Sequence, residues 1–208
     1  DVGQGDCALI QDGLTTVMID TGGINGFDIA QECLIPYLRK RRIYHIDALI
    51  ASHQDYDHVG GVSSLCAHYE VRKYVTDVSS FPLRVGNLTF TNHNDYGFEE
   101  ENEKSLFLSL SFMGKVWLFT GDAGVTVEKN VIRDYPDLDC DVLKVGHHGS
   151  DTSTSEAFLD AVKPEVAVIS CGKNNKFGHP KTSVVRSLSK RGITIRRTDE
   201  EGTITFWE

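Results

Sequence analysis

His53, Asp55, Asp57 and His58 fall within six consecutive positions, His53-Gln54-Asp55-Tyr56-Asp57-His58. Two imidazoles and two carboxylates at that density can converge on a cation, because both groups ligate divalent metals. The apolar run Ile46-Asp47-Ala48-Leu49-Ile50-Ala51 before them reads as a buried strand, and Val59 to Tyr69 after them as a helix. A turn between such elements can aim several side chains at one point. Gly60-Gly61, directly after the cluster, admits another stretch of backbone at close range.

Further ionisable groups repeat this placement at the ends of apolar runs. Asp20 follows Val17-Met18-Ile19, Asp122 follows Trp117-Leu118-Phe119-Thr120-Gly121, and His147-His148-Gly149 follows Val142-Leu143-Lys144-Val145. His179 lies in the loop Gly172 to Pro180, after another strand. Strand ends gather at one edge of a sheet, where sites form in layered α/β folds. A hydrogen-bonded Asp turn or a histidine satisfied in the core explains any one of these residues. It does not explain their joint placement.

The elements that carry these groups alternate. Ala8 to Gln11 and Thr15 to Ile19 form a hairpin around Asp12-Gly13. Ile29 to Arg41 has helical spacing, Val71 to Val75 reads as a strand, and Leu83 to Thr91 as a hairpin around Gly86-Asn87. Phe98 to Lys104 is an acidic loop, after which Leu106 to Phe112 pairs with Val116 to Thr120. A helix to about Tyr135, a strand Asp141 to Val145 and a capped helix through Val162 follow. Val166 to Ser170 is a strand, and Thr182 to Lys190 a helix closed by Gly192. Strands at Thr194 to Arg197 and Thr203 to Trp207 end the chain. Alternating strands and helices give an α/β domain, and the early hairpins make its sheets mixed.

With 208 residues, 40% hydrophobic and 25% charged, the chain has the composition of an ordinary globular domain. No apolar run approaches the ~20 residues of a membrane span. The net charge of −9 excludes a broad basic face for tracking nucleic acid. Only local patches remain, Arg39-Lys40-Arg41-Arg42 and Lys190-Arg191 with Arg196-Arg197, whose plain reading is solvated element ends. The five cysteines are odd in number and lack CxxC spacing, so they form neither a disulfide framework nor a zinc site. They read as reduced, mostly buried apolar residues.

The ordered set of motifs resembles the metallo-β-lactamase-fold hydrolases, and among them the soluble domain of the competence DNA-uptake channel ComEC and its free-standing relatives. The stretches that carry it are Asp1-Val2-Gly3-Gln4-Gly5-Asp6, Ile19 to Gly23, Ser52 to Gly61, Thr120 to Ala123, Leu143 to Ser150, Phe177 to Pro180 and Arg197-Thr198-Asp199. The resemblance implies an α/β (α+β) fold, a four-layer αββα sandwich with two mixed sheets. It implies one domain over 1–208 whose first strand lies upstream of residue 1. It also implies two divalent ions, Zn²⁺ and/or Mn²⁺. His53 and Asp55 would serve the first ion, Asp57 and His58 the second, with Asp122 bridging and Asp20 buttressing. The superfamily's loop is commonly His-x-His-x-Asp-His, so Asp55 here replaces an imidazole. Where a third imidazole for the first ion belongs, the chain has Asn102-Glu103-Lys104-Ser105, with His93 further upstream. The remaining ligand of the second ion is His147 or His179, and His147 or His148 is a ligand or the general acid. For His148 the plain alternative is a supporting hydrogen bond. Oxygen-rich ligation favours Mn²⁺ or Mg²⁺ over Zn²⁺.

The activity so implied is hydrolysis of phosphodiesters, most directly DNA, by a metal-activated hydroxide. Asp57, His147 and His148 would act in catalysis, and Ser150 and Thr152 would bond the phosphate. Nucleic acid is the implied partner, with no membrane contact from this segment although a longer protein can carry a channel. The implied location is cytoplasmic if the domain stands alone and extracytoplasmic if it belongs to an uptake channel. Two other readings compete. One is a small-molecule ester, lactone or β-lactam hydrolase, since one fold hosts many chemistries. The other is a non-catalytic module stabilised by metal.

Overall fold

Alternation along the strands decides which face each one buries. In the computed structural model, which describes residues 1–207, Val17 and Ile19 of β2 (Thr15–Ile19) face one way and Met18 the other. β2 pairs antiparallel with β1 (Ala8–Asp12) across the two residues Gly13-Leu14, one position beyond the turn expected at Asp12-Gly13. A two-stranded ladder joins β3 (His45–Ile46) to β5 (Glu70–Val71). β2 also pairs parallel with β4 (Ala48–Ile50), which pairs parallel with β6 (Tyr74–Val75). This four-stranded mixed sheet has the order β1-β2-β4-β6.

A seven-stranded sheet faces it. Its antiparallel part is β7 (Leu83–Val85), β8 (Leu88–Asn92), β9 (Leu108–Phe112) and β10 (Lys115–Phe119). Its parallel part continues from β10 through β11 (Val142–Lys144), β12 (Val166–Ile169) and β13 (Thr194–Arg197). Ile10, Val17, Ile19, Ala48 and Ile50 of the small sheet pack against Leu83, Leu88, Phe90, Leu108 and Leu110 of the large one, forming the inter-sheet core. Outside the small sheet, Met18 and Leu49 meet Ile29, Leu34, Ile35, Leu38 and Leu65 of the helical segments. Outside the large sheet, Leu118, Leu143 and Ala167 meet Val127, Val131, Phe158, Leu159 and Leu188. These are the four αββα layers, with both sheets mixed as expected.

The helices depart from expectation where sequence chemistry intervenes. Ala30–Leu34 forms a wide π turn before α1 (Ile35–Lys40); Pro36 lacks the N–H that a regular turn needs there. The helix expected at Val59 to Tyr69 divides into α2 (Tyr56–Val59) and α3 (Val62–His68), so Asp57 and His58 already lie on a helical turn. α4 (Val125–Asp134), α5 (Glu156–Val162) and α6 (Thr182–Lys190) follow the pattern. The Ser155 hydroxyl accepts the Phe158 N–H as the cap of α5.

The strand expected at Thr203 to Trp207 is not formed. The chain turns through a short helix, α7 (Thr198–Glu201), tied down by Thr198 Oγ1 against the Cys171 backbone, and then reverses at Gly202 with φ +70°. Residues 203–207 therefore run irregularly along the mouth between the sheets, with Phe206 edge-on to Trp117 and Arg41 over the Trp207 ring. The expected basic patch near the end is neutralised: Arg191 pairs with Asp160, Arg196 with Glu201, and Arg197 with Asp199 and Glu200. All five cysteines are free; Cys140 and Cys171 are buried, Cys7 and Cys33 half-buried, and Cys66 exposed.

Candidate metal centre

The loops after β2, β4, β10 and β11 meet at one end of the sandwich. Asp20 leaves β2 in the left-handed region, with φ +59°. Its Oδ1 accepts the Ser52 N–H at 2.7 Å, and its Oδ2 takes the Ser52 hydroxyl at 2.7 Å and His58 Nδ1 at 2.8 Å. It thus buttresses the loop after β4. That loop sits tightly on the loop after β2. A Cβ on Gly23 would stand 1.9 Å from the Tyr56 carbonyl oxygen, and one on Gly60 2.6 Å from the same atom. Only glycine permits this approach.

His58, fully buried, points Nε2 to within 3.2 Å of Asp122 Oδ1. The Asp122 N–H is held by Ser105 Oγ at 3.0 Å. After β11 the chain makes a tight turn in which His147 (φ +48°) and His148 (φ +54°) are both left-handed. Such backbone costs about 1–3 kcal/mol per residue and persists where the surroundings demand it. The turn sends His148 Nε2 to 3.2 Å from Asp57 Oδ2 and 3.6 Å from Asp122 Oδ2. Asp57, His58, Asp122 and His148 thereby offer ligand atoms that all lie within 4.8 Å of one another.

The other sequence-derived candidates surround this quartet. The His53 ring is tilted by 51° against that of His58 with centroids 4.1 Å apart, and its Nε2 is 3.7 Å from Asp55 Oδ2. His147 Nε2 lies 3.7 Å from Asp122 Oδ2. The His179 ring is 5.8 Å from that of His147 and 6.5 Å from that of His148. Ser150 bonds the Thr152 hydroxyl at 2.9 Å, and Thr152 in turn bonds His147 Nδ1 at 3.1 Å. Asn102 lies on a short turn leading to Ser105, whose N–H it receives. His93 is engaged elsewhere, bonded to Ser109 and edge-on to Tyr135.

The electrostatics mark a place for positive charge. Burial works against the His58 cation, but Asp20 and Asp122 outweigh it and hold its pKa well above the ordinary imidazole value. His148 is raised to about 10; burial opposes, and Asp6 and Asp57 prevail. Burial would lift the Asp122 carboxyl, but His58 and His148 hold it far below the usual range. His53 goes the other way, lowered by burial and then by His58. Nε2 of His53, Nε2 of His58 and Oδ1 of Asp122 are buried without a hydrogen-bond partner of good geometry. Buried polar atoms are seldom left so. A divalent cation among the quartet would satisfy His58 Nε2 and Asp122 Oδ1, and another beside His53 its Nε2, so the residues fit such ions.

Three groups at the centre were not singled out from the sequence. Glu101 caps the metal loop by accepting the Gln54 N–H at 2.8 Å. Asp6 and Lys144 form an ion pair behind His148, with charged atoms 2.6 Å apart. A lysine inside the apolar run Val142 to Val145 was the available signal.

Comparison with known proteins agrees with this fold. The Metallo-beta-lactamase superfamily matches residues 1–86 and 91–173. ComE operon protein 3 of Bacillus subtilis is 33% identical over 250 residues, covering 99% of this chain and 32% of the relative. Competence protein ComA of Neisseria gonorrhoeae is 31% identical, covering 99% of this chain and 31% of the relative. The chain spans about a third of the length of these relatives. Among solved structures, the metallo-β-lactamase fold protein YhfI from Bacillus subtilis aligns with a TM-score of 0.61 at 11% identity, covering 93% of this chain and 88% of that one. Zn²⁺-bound PqqB from Methylobacterium extorquens aligns at 0.54 and 14%, covering 93% and 85%. At such identities the likeness speaks for the fold. The chain belongs to the metallo-β-lactamase superfamily, and its relatives there include competence proteins.

Proposed function

We propose that this domain hydrolyses phosphodiester bonds in DNA, within a protein that serves DNA uptake. The observation that carries the chemistry is the quartet Asp57, His58, Asp122 and His148, three of them buried, with His58 Nε2 and Asp122 Oδ1 unpartnered. The DNA reading rests on the competence relatives. In an uptake protein the domain works outside the cytoplasm; a free-standing form would be cytoplasmic.

A divalent pair bound here supplies Lewis acidity and a hydroxide at neutral pH. Asp57, His58, Asp122 and His148 would hold one ion, and His53 with Asp55 would serve the other. Asp55 in place of an imidazole makes that side oxygen-rich and favours Mn²⁺ there. His147 is 28% exposed at its side chain and is oriented by Thr152, so it can protonate the leaving alkoxide. His179 flanks it on the solvent side. Lys173, Lys176 and Lys181, in and beside the His179 loop, bring positive charge to a phosphate.

A panel of bis-p-nitrophenyl phosphate, linear DNA and nitrocefin, each with Mn²⁺ or Zn²⁺, tests the reading. Cleavage of the diester and of DNA, lost in Asp122→Ala, is the expected result. Turnover of nitrocefin alone points to the small-molecule hydrolase. Full DNA cleavage by folded Asp57→Ala and Asp122→Ala proteins removes the centre from the reaction.

A further inference from the structure

Behind His148 stands a charged pair that the ligand set does not use. Asp6 is 5% exposed, and Lys144 lies on β11 between the buried residues Leu143 and Val145. Asp6 Oδ2 and Lys144 Nζ are 2.6 Å apart, and Nζ also donates to the Val145 carbonyl at 2.8 Å. Taking two charges out of water costs several kcal/mol per ion, and apolar residues of similar volume serve stability as well or better. The pair therefore calls for a use beyond holding the fold.

The other carboxylate oxygen shows where that use lies. Asp6 Oδ1 is buried, has no hydrogen-bond partner of its own, and stands 3.2 Å from His148 Nδ1. Nδ1 also faces the Ser170 carbonyl at 3.0 Å. With a cation on the Asp57 and Asp122 side taking the lone pair of Nε2, the proton of a neutral His148 belongs on Nδ1, between the Ser170 carbonyl and Asp6. Nε2 faces Asp57 and Asp122. The segment is locked against the metal loop as well. The Asp6 N–H donates to the Asp57 carbonyl at 3.1 Å, and a Cβ on Gly5 would stand 2.4 Å from that same oxygen.

We infer that Asp6, clamped by Lys144, is a positioning residue that sets the tautomer and aim of His148 and so tunes how tightly the centre holds its cation. The inference rests on the reading of His148 as a ligand. Carboxylates behind ligating histidines raise ligand basicity, and their loss typically costs about 10–100-fold in metal affinity.

The test is a double-mutant cycle read by Mn²⁺ and Zn²⁺ titration calorimetry on Asp6→Asn, His148→Ala and the combined variant, with thermal melts to establish folding. Asp6→Asn should weaken binding about 10–100-fold. The combined variant should bind no more weakly than His148→Ala, because Asp6 acts through that ring. Should Asp6→Asn leave Lys144 unpaired and the protein unfolded, the doubly neutral D6N/K144M enters the cycle in its place. A ¹⁵N spectrum of the zinc-loaded protein adds a readout that mere structural support would not move: the His148 proton sits on Nδ1 in the parent, and its signal shifts in Asp6→Asn. Fully additive losses, or unchanged affinity in a folded Asp6→Asn protein, overturn the inference. If His148→Ala itself binds like the parent, the ligand reading of His148 has failed and this inference falls with it, an outcome recognisable from that single variant.

Discussion

On one side of the centre, Asp57, His58, Asp122 and His148 meet within 4.8 Å, three of them buried and His58 backed by Asp20. On the other, His53 is buried but its partner Asp55 is 48% exposed at the side chain and 3.7 Å away. The first side is built before any cation arrives, because Asp20, Ser52, Ser105 and Asp6 fix its members from behind. The second has one fixed imidazole and one carboxylate free to move. Preorganised ligands lose less freedom on binding, so under the proposed function the first side would hold a cation more tightly than the second.

The largest predicted effect breaks both sides together. Asp122 faces His58 and His148 and is the carboxylate read as serving both sides, so Asp122→Ala should lower diesterase activity by about 10³-fold or more, the several kcal/mol that metal-ion catalysis supplies. The same variant should lose tight Mn²⁺ or Zn²⁺ binding in titration calorimetry. Activity within a few-fold of the parent would show that the shared carboxylate is not shared.

Next in size is the separation of the sides. Asp55→Ala should reduce the bound metal from two equivalents to one in Mn²⁺ titrations and cut activity about 10–100-fold, while leaving the melting temperature near the parent's. His58→Ala should cost more in stability, because it leaves Asp20 and Asp122 buried without their cationic partner. Equal effects of the two substitutions on affinity and melting would erase the distinction.

The two sides also differ in protons. In the metal-free protein His148 titrates near 10 against 6.5 for a free imidazole, and His58 is raised as well. A raised pKa means the folded state keeps a proton that the unfolded chain releases. This stabilisation is complete below about pH 6.5 and is lost as pH climbs toward 10, at about 1.4 kcal/mol per pH unit for each retained proton. Asp57 and Asp122 are depressed, so their contribution is present above pH 3.8 and lost on acidification below it. Burial lowers His53, His93 and His179 instead, so their contribution is present above about pH 6.5 and lost on acidification below it, and melting of the metal-free protein should therefore be highest near pH 6.5. Metal affinity should instead rise with pH, because a ligating imidazole must shed its proton. Calorimetry at pH 7 in buffers of different ionisation enthalpy should detect protons released on binding.

What the sequence made legible was the set of strand ends. Asp20, His53 and Asp122 each come at the end of an apolar run, Asp57 and His58 lie on the turn after one, and the fold brings Asp57, His58 and Asp122 together with Asp20 behind His58. The four layers followed from alternation in runs such as Val17-Met18-Ile19, whose members face opposite layers. What the sequence withheld depended on contacts far apart in the chain. Nothing local distinguishes His147 from His148; their adjacent left-handed residues send one toward Asp57 and the other toward Thr152. Asp6 matters through Lys144, far along the chain. The segment 203–207 has the β-formers of a strand, but Gly202 and the Thr198 tie turn it away from β13, and local propensity yields to that context.

The smallest effect tests how the loose side is held at all. Glu101 reaches across from the acidic loop to accept the Gln54 N–H, the residue between His53 and Asp55, while Lys104 pairs with its other oxygen at 3.2 Å. This side-chain tie between that loop and the metal turn is partly exposed, so its net worth is about 1 kcal/mol. Glu101→Gln keeps an acceptor oxygen and should change little. Glu101→Ala frees the Gln54 N–H to water, so it should lower stability by about 1 kcal/mol or less. It should weaken the second equivalent of Mn²⁺ several-fold while leaving the first untouched. If Glu101→Ala instead weakened the tight equivalent, the two sides would be mechanically one, and the division between a fixed and a mobile half of the centre would have to be given up.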